Sequence, residues 1–258
     1  MSLDQPADLV KHETQTRDAF LGGMLTLSQP RTGFRAGLDS VLLGAAVSPE
    51  RRTLLDMGAG VGTAGLIALA HNTALSATLA ELDASALAMA HDNIEANGFA
   101  ARATAIAVDV TAKGSDRRTA GLAENAYDSV IANPPFFGAG TLATDSSRAA
   151  ARHMDAAALD LWVKTAAGSA APGAEVIFIY PAAALPGLLA AFDQRFGAIT
   201  ILPLLPRPGE AASRVLIRGI KGSRAPLTLL ASRTLHAEGR DFAAEFDAIF
   251  RGTGRLVW

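Results

Sequence analysis

Apolar positions in this chain come in short unbroken runs, each ending at a glycine or polar residue, and between the runs they recur at helical spacing. The runs at residues 53–57, 77–80, 103–108 and 127–132 read as buried strands. Helical periodicity occupies residues 63–70 and 84–97, the second stretch opened by Asp83 as an N-cap and stopped by Gly98. A helix at 159–171, a strand at 174–180, a helix at 185–192 and strands at 199–205 and 214–220 continue the scheme. Strands that alternate with helices predict an α/β fold: a mostly parallel seven-stranded sheet flanked by helices. No helical pattern separates the last two runs, so one strand near the C-terminus is expected to be antiparallel.

Upstream of this scheme the pattern is weaker. Residues 1–18 are polar and mixed in charge, and are expected to be loosely ordered or to pack late. Leu25-Thr26-Leu27 and the glycine-punctuated stretch from Gln29 to Gly37 suggest a short hairpin or loop, followed by an apolar helix in which Asp39 is either the cap or part of a site. Residues 1–48 are thus an N-terminal extension of hairpin and helix, and residues 49–258 the main domain.

Composition narrows the classes. Half of the 258 residues are hydrophobic and 19% are charged, enough to bury a core over most of the length. There is no cysteine, which excludes disulfides, a thiol nucleophile and cysteine-ligated zinc, and the five histidines show no metal-ligand spacing, so no metal is expected. No run is long enough to span a membrane and the polar, acid-containing N-terminus is unlike a signal peptide, so a cytoplasmic location is expected. Nothing in the pattern sets an oligomeric state. The formal charge of −2 hides an asymmetry: residues 195–258 carry ten Lys or Arg against five Asp or Glu, a balance of +5 beside −7 for the rest. That region is a candidate phosphate-binding face, with scattered solvated arginines as the plainer reading.

The candidate chemistry lies at the ends of the first four runs. Gly58-Ala59-Gly60-Val61-Gly62 lets the backbone turn sharply from strand to helix and approach a ligand closely. Gly60 to Gly65 also satisfies the dinucleotide pattern G-x-G-x-x-G, but Asp56 just before it would repel a pyrophosphate; it suits a cationic ammonium group, such as that of S-adenosylmethionine, or else caps the turn as an ordinary strand-end carboxylate. Glu81 follows Gly58 at the distance where a nucleotide-binding unit places an acceptor for ribose hydroxyls. Asp109 is placed to accept from an adenine amino group, or else to start a loop. Asn133-Pro134-Pro135-Phe136-Phe137 is unlike ordinary core packing: the Asn133 amide oxygen and the Pro134 carbonyl are two acceptors for a planar amino group, and Phe136 is a face on which to stack it. The loop at 138–152 is long enough to cover a substrate, and Arg148 and His153 near its end are candidate phosphate contacts.

Together these motifs resemble the Rossmann-like, S-adenosylmethionine-dependent methyltransferases that modify amino nitrogens, and more closely the bacterial valine-tRNA adenine-N6-methyltransferases. The closer likeness extends to residues 33–44 upstream and 229–250 downstream. It implies a Rossmann-like methyltransferase domain at 49–258 whose N-terminal extension packs near the cofactor, with tRNA or another RNA as partner and no membrane. The implied cofactor contacts are Asp39, Asp56, Gly58, Ala59, Gly60, Gly62, Glu81, Leu82, Asp109, Val110 and Asn133. The implied catalytic residues are Asn133, Pro134, Pro135 and Phe136, with Arg35, Phe137, Arg148, His153 and Arg214 contacting substrate. The Asn-Pro-Pro-aromatic motif is shared by enzymes acting on DNA, ribosomal guanine and protein glutamine, so those substrates stay open here. An NAD-dependent oxidoreductase and a noncatalytic RNA- or S-adenosylmethionine-binding protein are the rival classes.

Overall fold

The computed structural model describes residues 15–32, 35–136, 156–237, 239 and 241–258. Strands β1 (Gln15–Phe20) and β2 (Leu25–Pro30) form an antiparallel hairpin turning through Leu21–Gly23, where Gly22 and Gly23 take positive φ. Asp18 ties the two strands to each other and to the segment leading into the first helix. Its Oδ2 accepts from Thr16 Oγ1 at 3.2 Å, Gln29 Nε2 at 2.7 Å and Arg35 Nη2 at 2.6 Å. Residues 15–18 are therefore strand, not loose chain, because Asp18 gains these partners and Leu25 and Leu27 give the opposite strand a buried apolar face. Helix α1 (Leu38–Ala45) comes after the hairpin, with Gly37 as its N-cap; Asp39 lies inside the first turn and does not cap it.

Next come β3 (Thr53–Met57), α2 (Thr63–His71), β4 (Ser76–Glu81), α3 (Ala84–Ala96), β5 (Ala103–Ala107), the short α4 (Gly114–Thr119) and β6 (Tyr127–Ala132). Asp83 caps α3 by accepting from Ala86 N at 2.8 Å, the role its position predicts. Helix α5 (Ala156–Ser169), β7 (Ala170–Pro181), α6 (Leu185–Asp193), β8 (Phe196–Leu205) and β9 (Arg214–Lys221) complete the expected set. Two-residue strands β10 (Thr228–Leu229) and β11 (Arg233–Thr234) pair with β8 and raise the sheet from the expected seven strands to nine, and α7 (Ala244–Phe250) comes after them.

The sheet order is β10-β8-β9-β7-β6-β3-β4-β5. All pairings from β5 across to β7 are parallel, while β9 runs antiparallel between β7 and β8, as the missing helix predicts. Alternate side chains enter two cores. Ile131, Ile177 and Ile179 point into one with α1, α2, α7 and the hairpin; Val130, Ala132, Val176 and Phe178 point into the other with α5 and α6. The N-terminal extension thus shares a core with the main domain. Asn93 of α3, 1% exposed, fastens the two: its side chain pairs with both backbone groups of Ser28 and donates to Val61 O in the glycine loop at 3.0 Å.

Helices α1 and α2 meet closely at Gly44. A Cβ there would lie 2.4 Å from Ala64 O and 2.9 Å from Ile67 Cβ. Gly44→Ala is therefore expected to force the helices apart and lower the unfolding free energy by about 1–3 kcal/mol, measured by denaturant titration.

Candidate functional site

Where β3 ends, the chain must leave the sheet and start a helix within five residues, and glycines make this possible. Gly58, Gly60 and Gly62 all have positive φ, at 65°, 57° and 90°. Gly58 N and Ala59 N donate to Ala80 O at 2.8 and 3.1 Å, and Gly60 N donates to Glu81 Oε2 at 2.7 Å. Gly58 is also pressed against α5, since a Cβ on it would sit 2.5 Å from Trp162 Cη2. Over Gly60 there is open space among the described residues. The loop is closed behind and bare in front, which is the side a ligand reaches.

Glu81 ends β4 at the mouth of this loop. Its Oε1 accepts from Leu82 N and Asp83 N, both at 2.8 Å, so the carboxylate is held by three backbone donors. Leu82 beside it is 65% exposed, an apolar surface next to an acceptor. Beyond β5, Asp109 Oδ1 accepts from Thr111 N at 2.8 Å and Thr111 Oγ1 at 2.6 Å, and its other oxygen has no partner among the described residues. Val110 turns into the core instead, and its carbonyl accepts from Thr165 Oγ1 at 2.7 Å. These groups suit an adenosine: an open glycine backbone, a fixed carboxylate for a diol, an apolar face, and a half-free carboxylate for an amino group.

Of the two roles open to Asp56, the structure shows the one that bonds the turn. Strand alternation puts its side chain on the face of Leu54, under α2, where it is 2% exposed and accepts from Gly65 N at 2.8 Å. The third glycine of the G-x-G-x-x-G pattern has a packing role here: a Cβ on Gly65 would lie 2.4 Å from Leu79 Cδ2 and 3.1 Å from Asp56 Oδ2. Burial raises the Asp56 carboxyl from 3.8 to about 7, the Gly65 hydrogen bond partly opposing it. Asp56 is thus buried beneath the loop and braces it against Gly65.

At the end of β6, Asn133 is half-buried and Pro134 buried, while Phe136 is 42% exposed. No hydrogen bond from the described residues engages the Asn133 amide or the Pro134 carbonyl. The Phe136 ring stands edge-on to Tyr180, centroids 5.4 Å apart, and Tyr180 lies near the end of the neighbouring β7. A cavity of about 350 Å³ opens beside Asn133, lined also by Arg35, Asp39, Ser213, Arg214 and Leu235. In it Asp39 and Arg214 are joined, Oδ2 to Nε at 2.9 Å. Asn133, Arg35, Asp39 and Arg214 are thus brought together, whereas Phe137, Arg148 and His153 lie outside the described residues.

The basic C-terminal region is not one face. Arg195 pairs with Asp160, Arg233 with Glu245 and Arg251 with Asp247; Lys221 donates to Ala167 O and Ala170 O. Arg218 is half-buried, its guanidinium 4.5 Å over the Trp258 ring, and burial lowers its pKa. Residues the sequence did not single out are Trp162 and Thr165, three apart on α5, which support the loops after β3 and β5, and Tyr180, which backs Phe136. No local signal distinguishes them from core residues. Among the described residues no His/Cys/Asp/Glu group is arranged to hold a metal, and no helix is long and apolar enough to cross a membrane.

Residues 37–162 match the family model described as "Methyltransferase small domain". The chain is 30% identical over 192 residues to a tRNA1(Val) (adenine(37)-N6)-methyltransferase of Aeromonas hydrophila, covering 73% of this chain and 77% of that one. It is 32% identical over 189 residues to a protein of the same name from Shewanella loihica, covering 72% and 76%. Among solved structures, a predicted O-methyltransferase of Agrobacterium tumefaciens superposes with a TM-score of 0.72 at 30% identity, covering 84% of this chain and 98% of that one.

The buried Asp56 carries a pH signature. With its folded pKa raised to about 7, its contribution to stability is complete below its ordinary value of 3.8 and is lost as pH rises through about 7. Asp56→Asn keeps an oxygen for Gly65 N–H and does not titrate. The variant's stability relative to the parent should therefore improve by about 1–3 kcal/mol between about pH 5 and pH 8, measured by denaturation at each pH.

Proposed function

Because this chain belongs to the S-adenosylmethionine-dependent methyltransferases of the methyltransferase small domain family, we propose that it methylates the exocyclic N6 of an adenine in tRNA. The reading rests on the unengaged pair of acceptors, the Asn133 amide oxygen and the Pro134 carbonyl, beside the exposed Phe136 ring. An amino group brings two hydrogens to two acceptors. A hydroxyl has one and would leave an acceptor idle, which favours nitrogen over the oxygen named for the Agrobacterium protein. The tRNA substrate is supported by the names of the curated relatives, and a tRNA substrate implies action in the cytoplasm.

S-adenosylmethionine supplies, when bound, a methyl group on a positively charged sulfur. Glu81 would hold its ribose hydroxyls, Asp109 its adenine amino group, and the bare backbone at Gly60 would allow it to come close. An aryl amine delocalises its lone pair into the ring and is a poor nucleophile. Hydrogen bonds from its two protons to Asn133 and Pro134 favour a pyramidal nitrogen whose lone pair is available, and stacking on Phe136 fixes the plane of the base. Tyr180 in turn limits where the Phe136 ring can lie. The surplus proton on nitrogen leaves to water afterwards, so no strong base is needed, and most of the rate gain comes from orientation and fixed dipoles. A stacked base must first be turned out, at about a few kcal/mol and less in a loop.

Transfer of labelled methyl from S-adenosylmethionine to tRNA, ribosomal RNA and protein from cells lacking this gene tests the reading. Label in tRNA recovered as N6-methyladenosine is expected; label only in ribosomal RNA or protein would replace the substrate. Asn133→Ala removes a contact made chiefly in the transition state. It should depress turnover more than about tenfold in that assay while lowering cofactor affinity by calorimetry by a much smaller factor, and an equal loss of both would refute the assignment.

A further inference from the structure

The order of strands divides the catalytic edge into two halves. The glycine loop, Glu81 and Asp109 lie at the ends of β3, β4 and β5, on one side of Asn133. On the other side lie β7 and then β9, whose first residue, Arg214, pairs with Pro181 at the end of β7. Only because β9 runs antiparallel does its start fall on the edge where the parallel strands finish. Arg214 therefore stands on the same edge two strands beyond Asn133, on the side away from the ends of β3, β4 and β5, and lines the cavity beside Asn133.

Its guanidinium is held but not consumed. Nε is paired with Asp39 at 2.9 Å and Nη1 with Ser213 O at 3.2 Å, while Nη2 has no partner among the described residues. The side chain is 38% exposed and Asp39 is 26% exposed, so the pair lies at the cavity wall and not beneath it. Arg35, on the same cavity, is built alike: Asp18 takes Nη2 at 2.6 Å, and the rest of the fork has no partner among the described residues. A guanidinium fixed by a carboxylate on one edge presents its remaining N–H groups in a set direction, the geometry that matches a phosphate. The cavity, of about 350 Å³, is large enough for a nucleoside turned out of its stack.

We propose that Arg214 is the anchor for a phosphate flanking the target nucleotide, and that Asp39 is the positioning residue that aims it. This rests on the reading of the substrate as RNA. The nucleotide enters the cavity with its base toward Asn133 and Phe136 and its backbone toward Arg214. Arg35 guards the same rim. Arg214 then fixes the register of the backbone at the cavity, holding the nucleotide beside that phosphate within reach of Asn133.

The test uses the full-length protein and a synthetic anticodon stem-loop of valine tRNA. Two further copies each carry one uncharged methylphosphonate, 5′ or 3′ of the target adenosine. With the parent enzyme, one of these substitutions is expected to raise KM more than about fivefold with kcat changed by less than about twofold. Arg214→Ala should raise KM for the natural stem-loop by a similar factor and be indifferent to that methylphosphonate. Arg214→Lys should recover part of the loss, and Asp39→Asn should weaken binding in the parent but not in the Arg214→Ala background. Thermal unfolding of each variant confirms folding, and cofactor affinity, measured on Arg214→Ala, separates the two sources of anion. A tenfold loss of cofactor affinity in Arg214→Ala, with no methylphosphonate effect, would assign the guanidinium to the cofactor's carboxylate and overturn the proposal. Independent, fully additive penalties at both phosphates would overturn it too, with the RNA reading intact. Absence of any methyl transfer to the RNA would remove that reading and the proposal together.

Discussion

The left-handed turn after β3 is the constraint on which the remainder of the site depends. Three glycines with positive φ within five residues bend the chain off the sheet, and every neighbour is shaped to that bend. Ala80 O and Glu81 take its amide protons, Trp162 fills the space a side chain on Gly58 would need, and the buried amide of Asn93 holds Val61 O from behind. Beneath it Asp56 holds Gly65, and the missing Cβ of Gly65 brings α2 down onto β4. The fixed loop leaves only its front face open, over Gly60. Preorganisation of this kind lets a site bind without reordering backbone at the moment of binding.

Helix α5 extends the same logic across the sheet. Trp162 supports the loop after β3 and Thr165 bonds Val110 O after β5, so one helical face aligns two loops that belong to different strands. On the opposite layer the hairpin does comparable work, since Asn93 reads Ser28 and Val61 together and Asp18 gathers Arg35. The N-terminal extension is accordingly part of the frame that shapes the mouth, with Arg35 and Asp39 on the cavity beside Asn133. In strand order alone, Asn133 after β6 stands between the strand ends that carry Glu81 and Asp109, on β4 and after β5, and the start of β9 that carries Arg214.

Much of this was legible in the residues. Short apolar runs gave β3 and β6 their limits because a strand buried on both faces must be continuously apolar, and the glycines and Asn133-Pro134-Pro135-Phe136 stood out because core packing has no use for them there. The antiparallel β9 was foreshadowed by the lack of a crossover helix. Elsewhere local sequence misled. Residues 15–18 look too polar for ordered chain, yet Asp18 finds three donors there, one of them 17 residues away.

Sequence by itself determined the class of the protein, the identity of its strands and the motif at which the proposed chemistry is placed, since these depend on periodicity and on residue types with few other uses. Tertiary structure decided which charges face the site. Asp56 precedes the glycines as a ligand-facing acid would, but strand alternation turns it under α2. Arg214 and Arg218 sit on the same strand with the same parity and look equivalent in the chain; one meets Asp39, 175 residues away, at the mouth of the cavity, and the other is covered by Trp258. A charge acquires its role from what distant segments place against it, and that depends on how the strands are ordered in the sheet.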